Sequence, residues 1–300
     1  MKKILVFLFL LFFISLSMGC AQGEPRRHDI KVHTGTQGLV LKFLPQTPPQ
    51  IAYSGETMDI QVEVLNKGAY TVNDGLLFFT GFDKSIVDIG YEFVDIPVIE
   101  GKAEYLVEGG KDLIVLSDLL GDEIDVSLPP GVDDYPTRIE AIACYTYKTT
   151  ATIPICIDAN PRVDTHDACQ SSNVGGGSQG APIAVSNVQV EPGYGKLRLI
   201  LTLNNVGGGI VIDRDSCPFG YKYGELGNLG ALEVNIEGIT LDCNPYPNVK
   251  LNDGFAKIYC HADVSELLNE GAYKTPLTVR FEYGYKNSVS TPIEIRKGLD

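Results

Sequence analysis

Ile139-Glu140-Ala141-Ile142-Ala143-Cys144-Tyr145-Thr146-Tyr147-Lys148 decides the fold, because it returns as Leu277-Thr278-Val279-Arg280-Phe281-Glu282-Tyr283-Gly284-Tyr285-Lys286. In both stretches every second residue is apolar or aromatic. That period of two puts one face of a β-strand in a core and the other in water. The likeness extends outward. Tyr135-Pro136-Thr137 and Tyr273-Lys274-Thr275 precede the two stretches, and Ile153-Pro154-Ile155-Cys156-Ile157 and Thr291-Pro292-Ile293-Glu294-Ile295 follow them. The spacing from 135 to 273 persists through 157 and 295.

A second matched pair lies nearer the start of each half. Met58, Ile60, Val62 and Val64 alternate with polar residues and end at Asn66-Lys67-Gly68. Leu197, Leu199, Leu201 and Leu203 do the same and end at Asn205-Val206-Gly207. Asn and Gly tolerate the backbone angles of a tight turn. The offset between Asn66 and Asn205 differs by one residue from that between Tyr135 and Tyr273, so a single unit is duplicated. With 32 Gly, 17 Pro and short Val/Ile/Tyr-rich runs, the expected class is all-β. The expected architecture is two tandem immunoglobulin-like antiparallel β-sandwiches, at 38–160 and 181–297. The polar stretch 161–180, with Gly175-Gly176-Gly177-Ser178-Gln179-Gly180, reads as the linker between them. The best helical signal is short, Asp263 to Asn269, with Asp263 as its N-cap.

The N-terminus predicts export. Lys2 and Lys3 precede an uncharged apolar run from Ile4 to Leu16, and small residues follow at Ser17 and Gly19. This is the order of a secretory signal peptide over residues 1–19. The run is shorter than the ~20 residues that span a bilayer as a helix. An uncleaved anchor is the plainer alternative, and either arrangement sends the rest of the chain outside. Leu16-Ser17-Met18-Gly19-Cys20 resembles a lipoprotein box, which implies a lipid on Cys20 and a tether over 20–37. Ser17 departs from that pattern, since the family places Leu three residues before the Cys. Cysteine parity agrees with a modified Cys20: of seven Cys, six remain to pair.

Three disulfides are expected. Cys144 and Cys156 align with Glu282 and Glu294, so the second half lacks both together. A hairpin folded at Thr149 to Ala151 would set Cys144 opposite Cys156, within bridging distance. Cys243 and Cys260 flank an Asn252-Asp253-Gly254 turn and are expected to pair. Cys169 and Cys217 then remain as the third pair.

Leu128-Pro129-Pro130-Gly131 followed by Tyr135 resembles the tyrosine corner of immunoglobulin-like and fibronectin-type domains, whose Tyr hydroxyl ties down the preceding connection. Tyr273 takes the equivalent place in the second half. The early strand ending in Asn-x-Gly resembles CARDB-type (cell-adhesion-related) domains. The whole arrangement is similar to archaeal-type cell-surface lipoproteins with tandem immunoglobulin-like domains. That resemblance implies a sandwich fold and a surface location, and no particular activity.

Chemistry is sparse. His28, His33, His166 and His261 include no His-Glu-x-x-His helix and no two at metal-ligand spacing on one expected element, and no phosphate loop or Cys-x-x-Cys occurs. No cofactor is expected, and the chain is read as not an enzyme. Without Lys2 and Lys3, 22 basic residues face 38 acidic ones, which disfavours nucleic acid as a partner. Asp158, Asp164, His166 and Asp167, and separately Asp213 and Asp215, are two acidic clusters to weigh for Ca²⁺. They lack the spacing of a calcium loop and read as solvated charge. The Tyr145/Tyr147 and Tyr283/Tyr285 pairs continue apolar strand faces and read as core, not as a sugar-stacking strip. The expected function is that of a non-catalytic, lipid-anchored extracellular protein, used in adhesion, ligand display or envelope structure. Its expected partner is a protein or glycan at the cell surface. The alternative is a carbohydrate- or Ca²⁺-binding accessory module serving a separate enzyme.

Overall fold

The computed structural model describes residues 32–300 apart from 91–92, 122–123, 164–167, 218–226 and 299–300. The signal peptide, Cys20 and most of the tether expected over residues 1–37 lie outside the described residues, as do Asp164, His166 and Asp167. Val32–Asp300 forms one compact unit.

The first half supplies β1 (Leu39–Phe43), β2 (Ile51–Tyr53), β3 (Thr57–Met58), β4 (Gln61–Asn66) and β5 (Gly75–Thr80). It continues with β6 (Val87–Asp88), β7 (Val94–Ile96), β8 (Lys111–Val115), a short helix α1 (Leu116–Leu120) and β9 (Ile124–Val126). Then comes β10, a single strand from Asp134 to Ile157. The second half supplies β11 (Val174–Gly175), β12 (Ile183–Gly193), β13 (Lys196–Asn205), β14 (Ile210–Ile212) and β15 (Asn228–Ile236). It ends with β16 (Ile239–Thr240), β17 (Asp242–Asn244), β18 (Val249–Lys250), β19 (Phe255–Asp263) and β20 (Tyr273–Arg296). Strand accounts for 57% of the protein and helix for 4%, so the class is all-β, as expected.

The centre of the fold is the antiparallel pairing of β10 with β20 along the whole of both strands, from Asp134↔Arg296 to Ile157↔Tyr273. Thr146 lies opposite Gly284, flanked by Tyr145↔Tyr285 and Tyr147↔Tyr283. Thr146 and Gly284 are also equivalent positions of the sequence repeat. The two halves are therefore related by a pseudo-two-fold axis through this pair, each lending a long strand to the same sheet. Around it run β16-β15-β20-β10-β5-β7, with β14 and β2 on β20 and only β2 parallel to it.

The outer sheets repeat as well. β1-β4-β8 in the first half matches β12-β13-β19 in the second, and Leu39↔Asn66 matches Ile183↔Asn205. The faces expected from sequence are buried: Met58, Ile60, Val62 and Val64, and likewise Leu197, Leu199, Leu201 and Leu203. They join the inward residues of β10 and β20 in one apolar cluster.

Four expectations are corrected. No hairpin forms at Thr149 to Ala151, because the chain runs straight on through β10. Thr149, Thr150 and Thr152 are β-branched, no turn residue interrupts them, and Ala151, Ile153, Ile155 and Ile157 keep the buried alternation going. The glycine-rich stretch read as a flexible linker is built into the fold. Val174–Gly175 pairs with β12, and Gln179 is 5% exposed. The tyrosine-corner contact also differs. The Tyr135 hydroxyl accepts from the Asp83 backbone N–H at 3.2 Å, so it secures the β5–β6 connection and not the Leu128–Gly131 stretch ahead of it. The expected helix near Asp263 shrinks to a single 3₁₀ turn, Ser265–Leu267, whose Ser265 N–H donates to Asp263 at 2.9 Å.

Candidate functional site

The junction of the halves holds four buried tyrosines. Tyr145, Tyr147, Tyr283 and Tyr285 pack mostly edge to face, with ring centroids 5.8 Å apart for Tyr145–Tyr147 and 6.0 Å for Tyr145–Tyr285. Their hydroxyls meet matched partners in the two halves. Tyr145 accepts from the Leu39 N–H at 3.0 Å and Tyr283 from the Ile183 N–H at 3.2 Å. Tyr147 donates to Asn66 at 3.2 Å and Tyr285 to Asn205 at 2.9 Å. Each Asn then closes its own turn, donating to the Tyr70 carbonyl or to the Gly209 carbonyl, both at 2.7 Å. The Asn-x-Gly repeat thus has a second duty beyond the turn: it satisfies a buried tyrosine. Gly68 is required at that turn, because a Cβ there would run into the Tyr147 hydroxyl.

Burial pushes all four phenols up, Tyr285 to about 12 and Tyr145 and Tyr283 well above the ordinary range. The unfolded phenol titrates near ~10. A raised folded value gives stability that is complete below the unfolded value and lost as pH rises through the folded one. Denaturant midpoints are therefore expected to show no tyrosine-driven loss up to about pH 10 and to fall between there and about 12, in step with tyrosinate absorbance. A phenol signal titrating fully while the chain stays folded would contradict the buried placement.

Beside this junction lies a cavity of about 510 Å³. Its walls are the outer edge of β1, the turn Gly207–Ile210, and β20 from Tyr285 to Val289. Glu140 and Ile142 of β10 complete them. The repeat explains its polar groups. Lys148 stands opposite Glu282 and meets it at 3.6 Å, whereas the equivalent Lys286 stands opposite Cys144. The Lys286 ammonium lies 5.8 Å from the centre of the Phe78 ring. Burial lowers its affinity for a proton, and Glu140 works the other way. Asn287 donates to the Leu39 carbonyl at 3.0 Å, while its buried Oδ1 has no protein partner. What the cavity offers a ligand is hydrogen-bonding surface: a strand edge, an amide oxygen, and one charge of each sign.

The six cysteines expected to pair do so, with one pair as expected and two exchanged. Cys243–Cys260 joins β17 to β19, with Cα atoms 4.1 Å apart. Cys144 pairs with Cys217 and not with Cys156, and Cys156 pairs with Cys169. Twelve residues of unbroken strand hold Cys144 and Cys156 roughly 40 Å apart, so the expected bridge cannot form. Among the described residues no group of His, Cys, Asp and Glu is placed to hold a metal ion, and no helix is long and apolar enough to cross a membrane. Asp213 instead caps local structure, accepting from the Asn228 N–H at 2.7 Å. Sequence reasoning missed Glu140, Lys286 and Asn287. Their signal lies in the repeat register, which sets Lys286 against Lys148 and Asn287 against Thr149. No protein-family model matches the chain, and no curated protein matches it.

Proposed function

We propose that this is a non-catalytic protein of the extracellular surface, lipid-anchored through Cys20 and used in adhesion, ligand display or envelope structure. On this reading the fold is two immunoglobulin-like sandwiches fused through β10 and β20, with the tether ahead of them. The observation that carries it is the cysteine pairing. Six cysteines form three bridges, a pattern of oxidising compartments, and Cys20 alone stands apart, next to a stretch with the order of a signal peptide. A fused pair of sandwiches suits display, because it holds its surfaces in a fixed relation. Cys20→Ser is expected to move the mature protein from the membrane fraction into the medium. Mass spectrometry of the native protein should find the lipid on Cys20, and an unmodified mature N-terminus would remove the anchor from the proposal.

A further inference from the structure

The repeat supplies its own template for what the cavity takes. Leu39 of β1 and Ile183 of β12 occupy the same place in their halves, and their outward groups are satisfied alike. Each N–H goes to a tyrosine hydroxyl. Each carbonyl accepts from the opposite half, from Asn287 Nδ2 at 3.0 Å or from Thr149 Oγ1 at 2.7 Å.

Two residues further along, the halves part. In the second half the Val185 N–H donates to Gln179 Oε1 at 2.8 Å, and the Val185 carbonyl accepts from Gln179 Nε2 at 3.1 Å. One carboxamide closes both edge groups. The same Nε2 also reaches the Gly176 carbonyl at 2.8 Å, so Val174–Gly180 is folded against the strand edge.

The first-half counterpart of Val185 is Leu41. Adjacent residues of an antiparallel strand direct their N–H and C=O to opposite sides. The Gly38 carbonyl accepts from Lys67 N–H on the β4 side, so Val40 and Lys42 also face β4, and Leu41 faces away from it. That direction leads into the cavity, which Leu41 lines. Gln179 stands six positions before Val185, and six positions before Leu41 the chain has Gly35, which carries no side chain.

We infer that the cavity is a docking site for an extended segment of another polypeptide that presents an Asn or Gln carboxamide. That group places a donor beside an acceptor, which is what the Leu41 edge requires, as Gln179 does for Val185. Asn287 Oδ1 adds a further acceptor, and about 510 Å³ accommodates a few residues around the carboxamide. The inference deepens the display reading by naming what is bound. It is independent of the anchor, so the Cys20 experiment and the one below fail separately.

The test uses the purified, ¹⁵N-labelled chain and a synthetic heptapeptide copied from its own Val174-Gly175-Gly176-Gly177-Ser178-Gln179-Gly180. Amide resonances of Leu41 and of Gly207 to Gly209 should shift and saturate in the millimolar range. The same peptide with glutamate in place of the glutamine loses the donor and should bind about tenfold more weakly. Ser288→Trp and, separately, Val40→Trp narrow the cavity and should abolish the shifts while the Val185 amide keeps its position. Absence of saturable shifts at Leu41, equal binding of the glutamate peptide, or full binding by both tryptophan variants would each overturn the assignment.

Discussion

Tyr283→Ala is expected to destabilise the whole of Val32–Asp300 by about 4–8 kcal/mol. The side chain is fully buried, and its ring lies 5.7 Å from Phe281 and 6.2 Å from Tyr285 between centroids. Removing a core aromatic costs about 3–5 kcal/mol in transfer and cavity terms. The hydroxyl adds to this, since its loss strands the Ile183 N–H in the interior, at about 1–3 kcal/mol. Tyr283→Phe isolates that second part and should cost about 1–2 kcal/mol, because Thr149 keeps its bond to the Ile183 carbonyl. The form of the transition is as informative as its midpoint. Tyr283 belongs to the second half but bonds Thr149 of β10, at 3.0 Å. Thermal melts followed by far-ultraviolet circular dichroism and by tyrosine fluorescence should stay coincident and move down together by about 10 °C. Two separated transitions, with only one displaced, would mean that the halves fold as independent beads.

The same junction shows where sequence is legible and where it is not. Alternation carries burial reliably: the faces at 58–64, 139–147, 197–203 and 277–285 are all in the core. It reports which side of a strand is buried, but not which strand lies beside it. Tyr147 opposite Tyr283 and Tyr147 in a hairpin of its own half require the same alternation. The discriminating signal was local. Thr149-Thr150-Ala151-Thr152 contains nothing that favours a turn, and the second half has Asn287-Ser288-Val289-Ser290 in the same place, equally able to extend. The cavity was harder to see, because the groups that line it include backbone atoms of Leu41, which carry no residue-type signature. Only the comparison of Gly35 with Gln179, made in the register of the repeat, marks it out. The Asn-x-Gly turns were visible as turns, but the bonds of Asn66 and Asn205 to buried tyrosines depend on tertiary contact.

Loss of the Cys144–Cys217 bridge is the other large effect. It closes a loop of 73 residues, against 13 for Cys156–Cys169 and 17 for Cys243–Cys260. In the chain-entropy model the cross-link restricts the unfolded chain, and the stabilisation grows with the logarithm of loop length. That gives about 4–5 kcal/mol for the long loop and about 3 kcal/mol for each short one. The bridge also has a distinct structural duty. Cys144 pairs with Leu76 of β5 on one side and Lys286 of β20 on the other, so it sits between strands of both halves. Cys217 follows the 3₁₀ turn Arg214–Ser216, just beyond β14, and is thereby secured to β10 across the junction. In the second half the place of Cys144 belongs to Glu282, which holds Arg214 at 2.8 Å and Lys148 at 3.6 Å. An exposed ion pair contributes about 0–1 kcal/mol, so the covalent tie dominates the ionic one beside it. Cys144→Ala with Cys217→Ala should therefore lower the denaturant midpoint more than Cys156→Ala with Cys169→Ala, with the slope steepest where the unfolded chain has expanded. Non-reducing peptide mapping of the native protein should recover Cys144 with Cys217, Cys156 with Cys169 and Cys243 with Cys260. A peptide joining Cys144 to Cys156 would restore the hairpin and remove the shared sheet, since both cannot exist in one chain.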